Sequence, residues 1–105
     1  MRTVNFLKQE RQEKQLESIA WRTRHLYARL QDFGEGGPVV TDWSQERGKI
    51  SISVPNHSAI QIQKALEQYG VICQVEQEKL VFYLSEQIAF EDLDFVWGVL
   101  FQILS

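Results

Sequence analysis

A single cysteine, Cys73, stands among the 105 residues, so no intrachain disulfide can form and a reducing compartment is the expected setting. Long hydrophobic runs are missing too. The longest uninterrupted apolar stretch, Phe95 to Phe101, falls far short of the roughly 20 residues that span a bilayer. The first residues, MRTVNFLKQERQEK, contain no apolar core of the kind that marks a signal peptide. Together these absences point to a cytoplasmic protein with no membrane role. Basic residues are scarce in the second half: residues 53–105 hold two Lys/Arg against seven Asp/Glu, whereas residues 1–52 hold nine against seven. The net charge of −3 argues against a general nucleic-acid binder, which needs a basic footprint for phosphates. Two histidines and one cysteine, far apart in sequence, offer no zinc site.

What is present suits one globular domain over 1–105. Hydrophobic residues make up 44% and charged residues 24%, and the length supports one core without covalent staples. From about Val4 to Phe33 the chain reads as one long helix. Leu16, Ile19, Thr23, Leu26, Leu30 and Phe33 recur at steps of three and four, which keeps them on one stripe. Lys8 to Gln15 has no apolar residue, so residues 1–15 read as a partly exposed helical arm, and Val4, Phe6 and Leu7 then need a surface to dock on. Gly34 to Gly37 and Pro38 end the helix. A glycine-rich loop can cradle phosphate, but that requires a following helix N-terminus, and here the strand-like VVTDW follows.

The remainder reads as ββαββα. Val39–Trp43 and Lys49–Val54 form a hairpin with Gly48 at the bulge position. Ser58 and Gln61 make a capping box opening a helix that runs to Tyr69, and Gly70 stops it. Residues Val71–Glu76 and Lys79–Leu84 alternate as two strands about a Gln77-Glu78 turn. A last helix, about Phe90 to Leu104, opens with Glu91, Asp92 and Asp94 at the positive end of its dipole. The predicted fold is α+β, with a long N-terminal helix followed by ββαββα and a mostly antiparallel sheet covered by helices on one side.

Three stretches resemble the small C-terminal domain of fold-type I pyridoxal-phosphate enzymes, the aminotransferase and cysteine desulfurase superfamily. They are KISISVPNHSAIQIQKALEQYGV, EKLVFYLSEQI and FEDLDFVWGVLFQIL. The first is similar to the family's strand, capped helix and turn, the second to its late hairpin strand and the third to its closing helix. The similarity spans about residues 10–105. It implies the fold of that domain and no active-site residue. In the family a lysine of a separate large domain holds the cofactor, and the small domain contributes an arginine to the substrate carboxylate. The corresponding strand here offers Val81, Phe82 and Tyr83, which cannot make a bidentate charged contact. The resemblance therefore implies a free-standing small domain with no cofactor of its own.

Few side chains suggest chemistry. Arg22, Arg24 and Arg29 around His25 could bind an anion or acidic partner, but read better as a solvated face lying over Trp21 and Tyr27. His57 has no nucleophile or carboxylate at informative spacing and reads as a capping-region residue. Cys73 reads as a small buried apolar residue, and the acids of the last helix as dipole partners rather than metal ligands. Surplus apolar surface remains. Phe95, Val99 and Phe101 widen the last helix beyond what one sheet face requires. The sequence thus predicts a non-catalytic domain acting by protein–protein association, as a homodimer or with a partner subunit, through Val4, Phe6, Leu7, Phe95, Val99 and Phe101. The alternatives are a small-molecule-binding regulatory module, or an accessory chain that completes a separately encoded pyridoxal-phosphate enzyme.

Overall fold

The computed structural model describes residues 2–8 and 16–105. In chain order the elements are β1 (Val4–Asn5), α1 (Leu16–Gln31), β2 (Val39–Ser44), β3 (Lys49–Ser53), α2 (Ala59–Glu67), β4 (Val71–Ile72), β5 (Gln74–Glu76), β6 (Lys79–Tyr83) and α3 (Phe90–Leu104). Four strands form an antiparallel sheet in the order β2-β3-β6-β5, and β1 pairs with β4 in a separate parallel pair. The class is α+β, with three helices and a mostly antiparallel sheet among the described residues.

The start of the chain departs from the sequence reading. Val4 and Asn5 are extended, not helical, and among the described residues α1 covers Leu16–Gln31. The expected arm lies outside the described residues over 9–15. The extended segment is bound into the fold: Val4 N–H donates to the Gly70 carbonyl (2.8 Å), Phe6 N–H to the Ile72 carbonyl (2.7 Å), and the Phe6 carbonyl accepts from Tyr83 N–H (2.9 Å). It enters where residues 71–76 change partners, β4 pairing with β1 and β5 with β6 on either side of Cys73. One strand in the sequence is therefore two in the structure. A Cβ on Gly70 would sit 2.2 Å from the Arg2 carbonyl oxygen, and Gly70 has φ of +80°, so both the turn and the close strand require glycine here.

Hydrophobic burial explains the rest. On the central strands Ile50, Ile52, Leu80 and Phe82 share a core with Ile19, Leu26 and Leu30 of α1, Ile62 and Leu66 of α2, and Leu93, Val96 and Leu100 of α3. Their cross-strand neighbours on the other pleat, Ser51 and Val81, lie outside that core, so the three helices bury one face of the sheet. Phe6 is fully buried with its ring edge-on to Phe82 at 5.0 Å. Helix α2 carries both bonds of its capping box, Gln61 N–H to Ser58 Oγ (3.1 Å) and Ser58 N–H to Gln61 Oε1 (3.4 Å). It ends at Glu67, so Tyr69 falls in the turn beyond it and is partly exposed. Tyr27 of α1 stacks on Trp43 of β2 at 3.9 Å, which ties the helix to the sheet edge.

Candidate functional site

Helices α1 and α3 run side by side in the same direction, as the order of their contacts requires. Arg22 and His25 meet Phe90, His25 and Arg29 meet Asp94, and Phe33 beyond the end of α1 meets Trp97 and Phe101. The apolar stripes of both helices turn toward the sheet, leaving a seam of aromatic and charged side chains facing outward. His25 Nε2 lies 2.9 Å from Asp94 Oδ1, and Arg29 Nε lies 3.0 Å from the same oxygen. The His25 hydrogen bond is the main force holding the Asp94 carboxyl below its ordinary value; burial is the next largest effect and opposes it, while the charges of His25 and Arg29 and the Arg29 hydrogen bond add to the lowering. The Arg29 guanidinium covers the Trp97 ring at 4.5 Å, and that of Arg22 covers Phe90 at 5.0 Å. Arg22 also donates to the Ile88 carbonyl and to Ser18. Arg22 and Arg29 thus lie over α3 aromatics, while Arg24 is exposed; the expected contacts over Trp21 and Tyr27 are replaced, because Tyr27 turns to Trp43 and Trp21 points to solvent.

Beyond Arg29 the seam becomes apolar. Trp97 stacks on Phe101 at 5.5 Å, and Phe33 flanks both. Phe101 is nevertheless 55% exposed, and beside it lies a shallow cavity of about 250 Å³ lined by Phe33, Gly36, Gly37, Phe101 and Leu104. Trp21 is 59% exposed, with Phe90 and Leu16 also open to solvent. An exposed aromatic row rimmed by charged groups has the composition of a protein-binding surface.

The residues expected at an interface divide sharply. Val4 and Phe6 are core residues, consumed by packing within the chain, and Val99 is buried as well, so none of the three is available to a partner. Phe95 is half-buried under the Arg2 guanidinium at 4.8 Å, Leu7 is partly exposed, and Phe101 remains open. The structure brings Phe101 together with Phe33 and Trp97, which the sequence reading did not single out. Their signal was there in spacing: Trp97 and Phe101 are one helical turn apart, and Phe33 continues the α1 stripe.

Other candidate groups have structural roles. Cys73 is buried, which pushes its thiol up to about 12, with the Glu67 charge adding to the effect. His57 is exposed in the turn before α2, its Nδ1 2.9 Å from the Pro55 carbonyl oxygen. Asp92 accepts from the Ala89 N–H at 3.2 Å and pairs with Arg2 at 3.5 Å, while Asp94 serves the seam. Among the described residues no three His, Cys, Asp or Glu side chains converge as metal ligands, and no helix is long and apolar enough to cross a membrane. At the strand of Val81, Phe82 and Tyr83, Val81 and Phe82 are buried, and Tyr83 Oη donates to Glu76 Oε2 at 2.9 Å. Burial first, then that bond and the Glu76 charge, raise the Tyr83 phenol above its ordinary value. Lys49 joins Glu76 at 3.8 Å, and Gln74 bonds both Glu76 and the Lys8 N–H, fastening the N-terminal segment to the open face of the sheet. Ile60, exposed on α2, lines a broad depression of about 590 Å³ at the start of that helix together with His57, Ala59, Val75 and Glu78.

The chain matches no protein-family model, and a comparison with curated proteins finds no significant relative.

Proposed function

We propose that this chain is a non-catalytic interaction domain that associates with protein through the outward face of α1 and α3. The observation carrying this reading is Phe101, 55% exposed at the end of a continuous Phe33–Trp97–Phe101 aromatic row. Full burial of a side chain of that size gains roughly 1.5–3 kcal/mol; about half of that is still to be collected at Phe101, and nothing else among the described residues reaches over it. Val4 and Phe6 of the N-terminal segment, which could have served as a cover, are spent inside the core instead.

The geometry of the row suits docking rather than mere exposure. Arg29 and Phe33 pack against Trp97 from the α1 side, so Phe101 projects from a support that is already ordered. Little side-chain freedom is then lost on association. Replacing Phe101 by Glu tests the reading, since more than half of the ring is exposed and it lies outside the buried core. The variant is expected to keep the far-ultraviolet spectrum and melting temperature of the wild type while losing association, measured by light scattering and by capture of partners from native lysate. Unchanged association in Phe101→Glu would refute the assignment of this face.

A further inference from the structure

Arginine covers the aromatic rings of α3 one after another. Arg22 lies over Phe90 at 5.0 Å, Arg2 over Phe95 at 4.8 Å and Arg29 over Trp97 at 4.5 Å. In two of these cases a carboxylate of the same helix holds the guanidinium in place: Asp92 lies 3.5 Å from Arg2, and Asp94 lies 3.0 Å from Arg29. The repeated unit is a ring and an acid sharing one arginine. Phe101 is the remaining aromatic of α3 and the most exposed, and among the described residues no cation lies over its ring.

Its acid is in place. Glu35 lines the cavity of about 250 Å³ beside Phe101 and is exposed, with no ion-pair partner among the described residues. It sits in a turn closed by Gly37 N–H donating to the Gly34 carbonyl (3.3 Å). That turn lies tight on Phe33, since a Cβ on Gly37 would come within 2.4 Å of the Phe33 Cβ. Trp97 supports the Phe101 ring in the same way. The segments that build the cavity carry no cation for the pair: residues 30–46 and residues 80–105 each hold four Asp/Glu and no Lys or Arg. Arg29, packed on the same aromatic row, is already engaged by Trp97, Asp94 and Asp32. The C-terminal turn of α3, the negative end of its dipole, has no basic residue either.

We infer that the cavity between Phe101 and Glu35 takes an arginine side chain of a partner protein, its guanidinium lying over the Phe101 ring and pairing with the Glu35 carboxylate. The inference rests on the reading of this face as an interaction surface and names the partner's chemistry, a basic segment that presents arginine. Charge complementarity selects it, because an acidic surface repels phosphate-bearing partners and attracts cationic ones. Arginine fits better than lysine. Its planar guanidinium stacks on a ring and forks to a carboxylate at once, whereas the lysine ammonium is a strongly hydrated point charge. The apolar walls of Phe33 and Leu104 shield the pair from water on one side, which strengthens it beyond a fully exposed ion pair.

The test uses the full chain and a labelled peptide of alternating arginine and leucine, with lysine and citrulline counterparts. By fluorescence anisotropy the arginine peptide is expected to bind at least about tenfold tighter than the neutral citrulline one, and tighter than the lysine one. Glu35→Gln and Phe101→Leu, the second keeping an apolar side chain without the ring, are each expected to weaken the arginine peptide at least about fivefold. Glu91→Gln, at an exposed acid near the other end of α3, is the control and should leave binding unchanged. Circular dichroism verifies that all three variants are folded. Equal binding of the arginine and citrulline peptides, or binding indifferent to Glu35→Gln and Phe101→Leu, overturns the inference. A Phe101-dependent dimer that the arginine peptide does not dissociate also overturns it, making a second copy the occupant. In each case the interaction reading stands if Phe101→Glu still abolishes self-association or lysate capture. Self-association and capture that are both indifferent to Phe101→Glu overturn the two together.

Discussion

Truncating Phe6 to alanine separates a core strand from an attached arm. Phe6 is fully buried, edge-on to Phe82 at 5.0 Å, and its backbone bonds both Ile72 and Tyr83. Core Phe→Ala changes cost about 3–5 kcal/mol, and the ring pair adds roughly 0.5–1.5 kcal/mol beyond area alone. The site favours the upper part of that range, because the strand carrying Phe6 is short and loosens with it. A loss of about 4 kcal/mol is a large share of the 5–15 kcal/mol typical of a domain. It corresponds to a fall in Tm of roughly 16–30 °C at this size. Urea unfolding followed by circular dichroism measures it, with the wild-type slope retained as the sign of unchanged cooperativity. Ile60→Ala, at an exposed position on α2 away from the α1–α3 face, serves as the control and should lie within about 0.5 kcal/mol of wild type. A Phe6→Ala loss below about 1 kcal/mol would refute the integration of the N-terminal strand.

Three further outcomes follow from the geometry. Gly70→Ala should cost at least about 2 kcal/mol, combining the left-handed penalty with a collision against the Arg2 carbonyl, and urea titration reads it. Cys73, its thiol pushed up to about 12 by burial, should resist a thiol reagent at pH 8 in the native chain and react fully once denatured. Asp94 has its carboxyl held below the ordinary value, so its contribution is present above the ordinary carboxylate range and fades as pH falls through the lowered value. Asp94→Asn should therefore melt slightly below wild type at pH 7, with the gap closing on acidification. The effect is small because Asp94 is nearly half exposed.

Sequence reasoning reached the elements whose signals are local. Ser58 and Gln61 announced the start of α2, and the apolar stripe of α3 placed that helix over Phe90–Leu104. Gly48 takes the left-handed conformation expected of it in the hairpin turn, with φ of +64°, but the register shift of the hairpin lies between Val40 and Asp42. It failed where a tertiary partner decides. The helix-favouring residues around 8–15 extended the expected helix backward over Val4 and Phe6. The alternation of Val4 and Phe6 with Thr3 and Asn5 was the strand signal, too short to stand without β4 beside it. The break of residues 71–76 at Cys73 is likewise invisible without the inserted strand. On the surface, Phe101 was legible from the excess of apolar residues on α3. Val4, Phe6 and Val99 were misplaced, because composition cannot tell a core contact from an interface contact. Arg22 and Arg29 found α3 aromatics rather than those of their own helix, since the parallel packing of α1 on α3 brings Phe90 and Trp97 within reach.

Light scattering across a concentration series, on the wild type and on Phe101→Glu side by side, tests the central claim most directly. The wild type should pass from monomer to dimer as concentration rises, and the variant should remain a folded monomer throughout. Identical mass curves for the two proteins would contradict self-association through α1 and α3, and identical capture of partners from native lysate as well would contradict an association surface there.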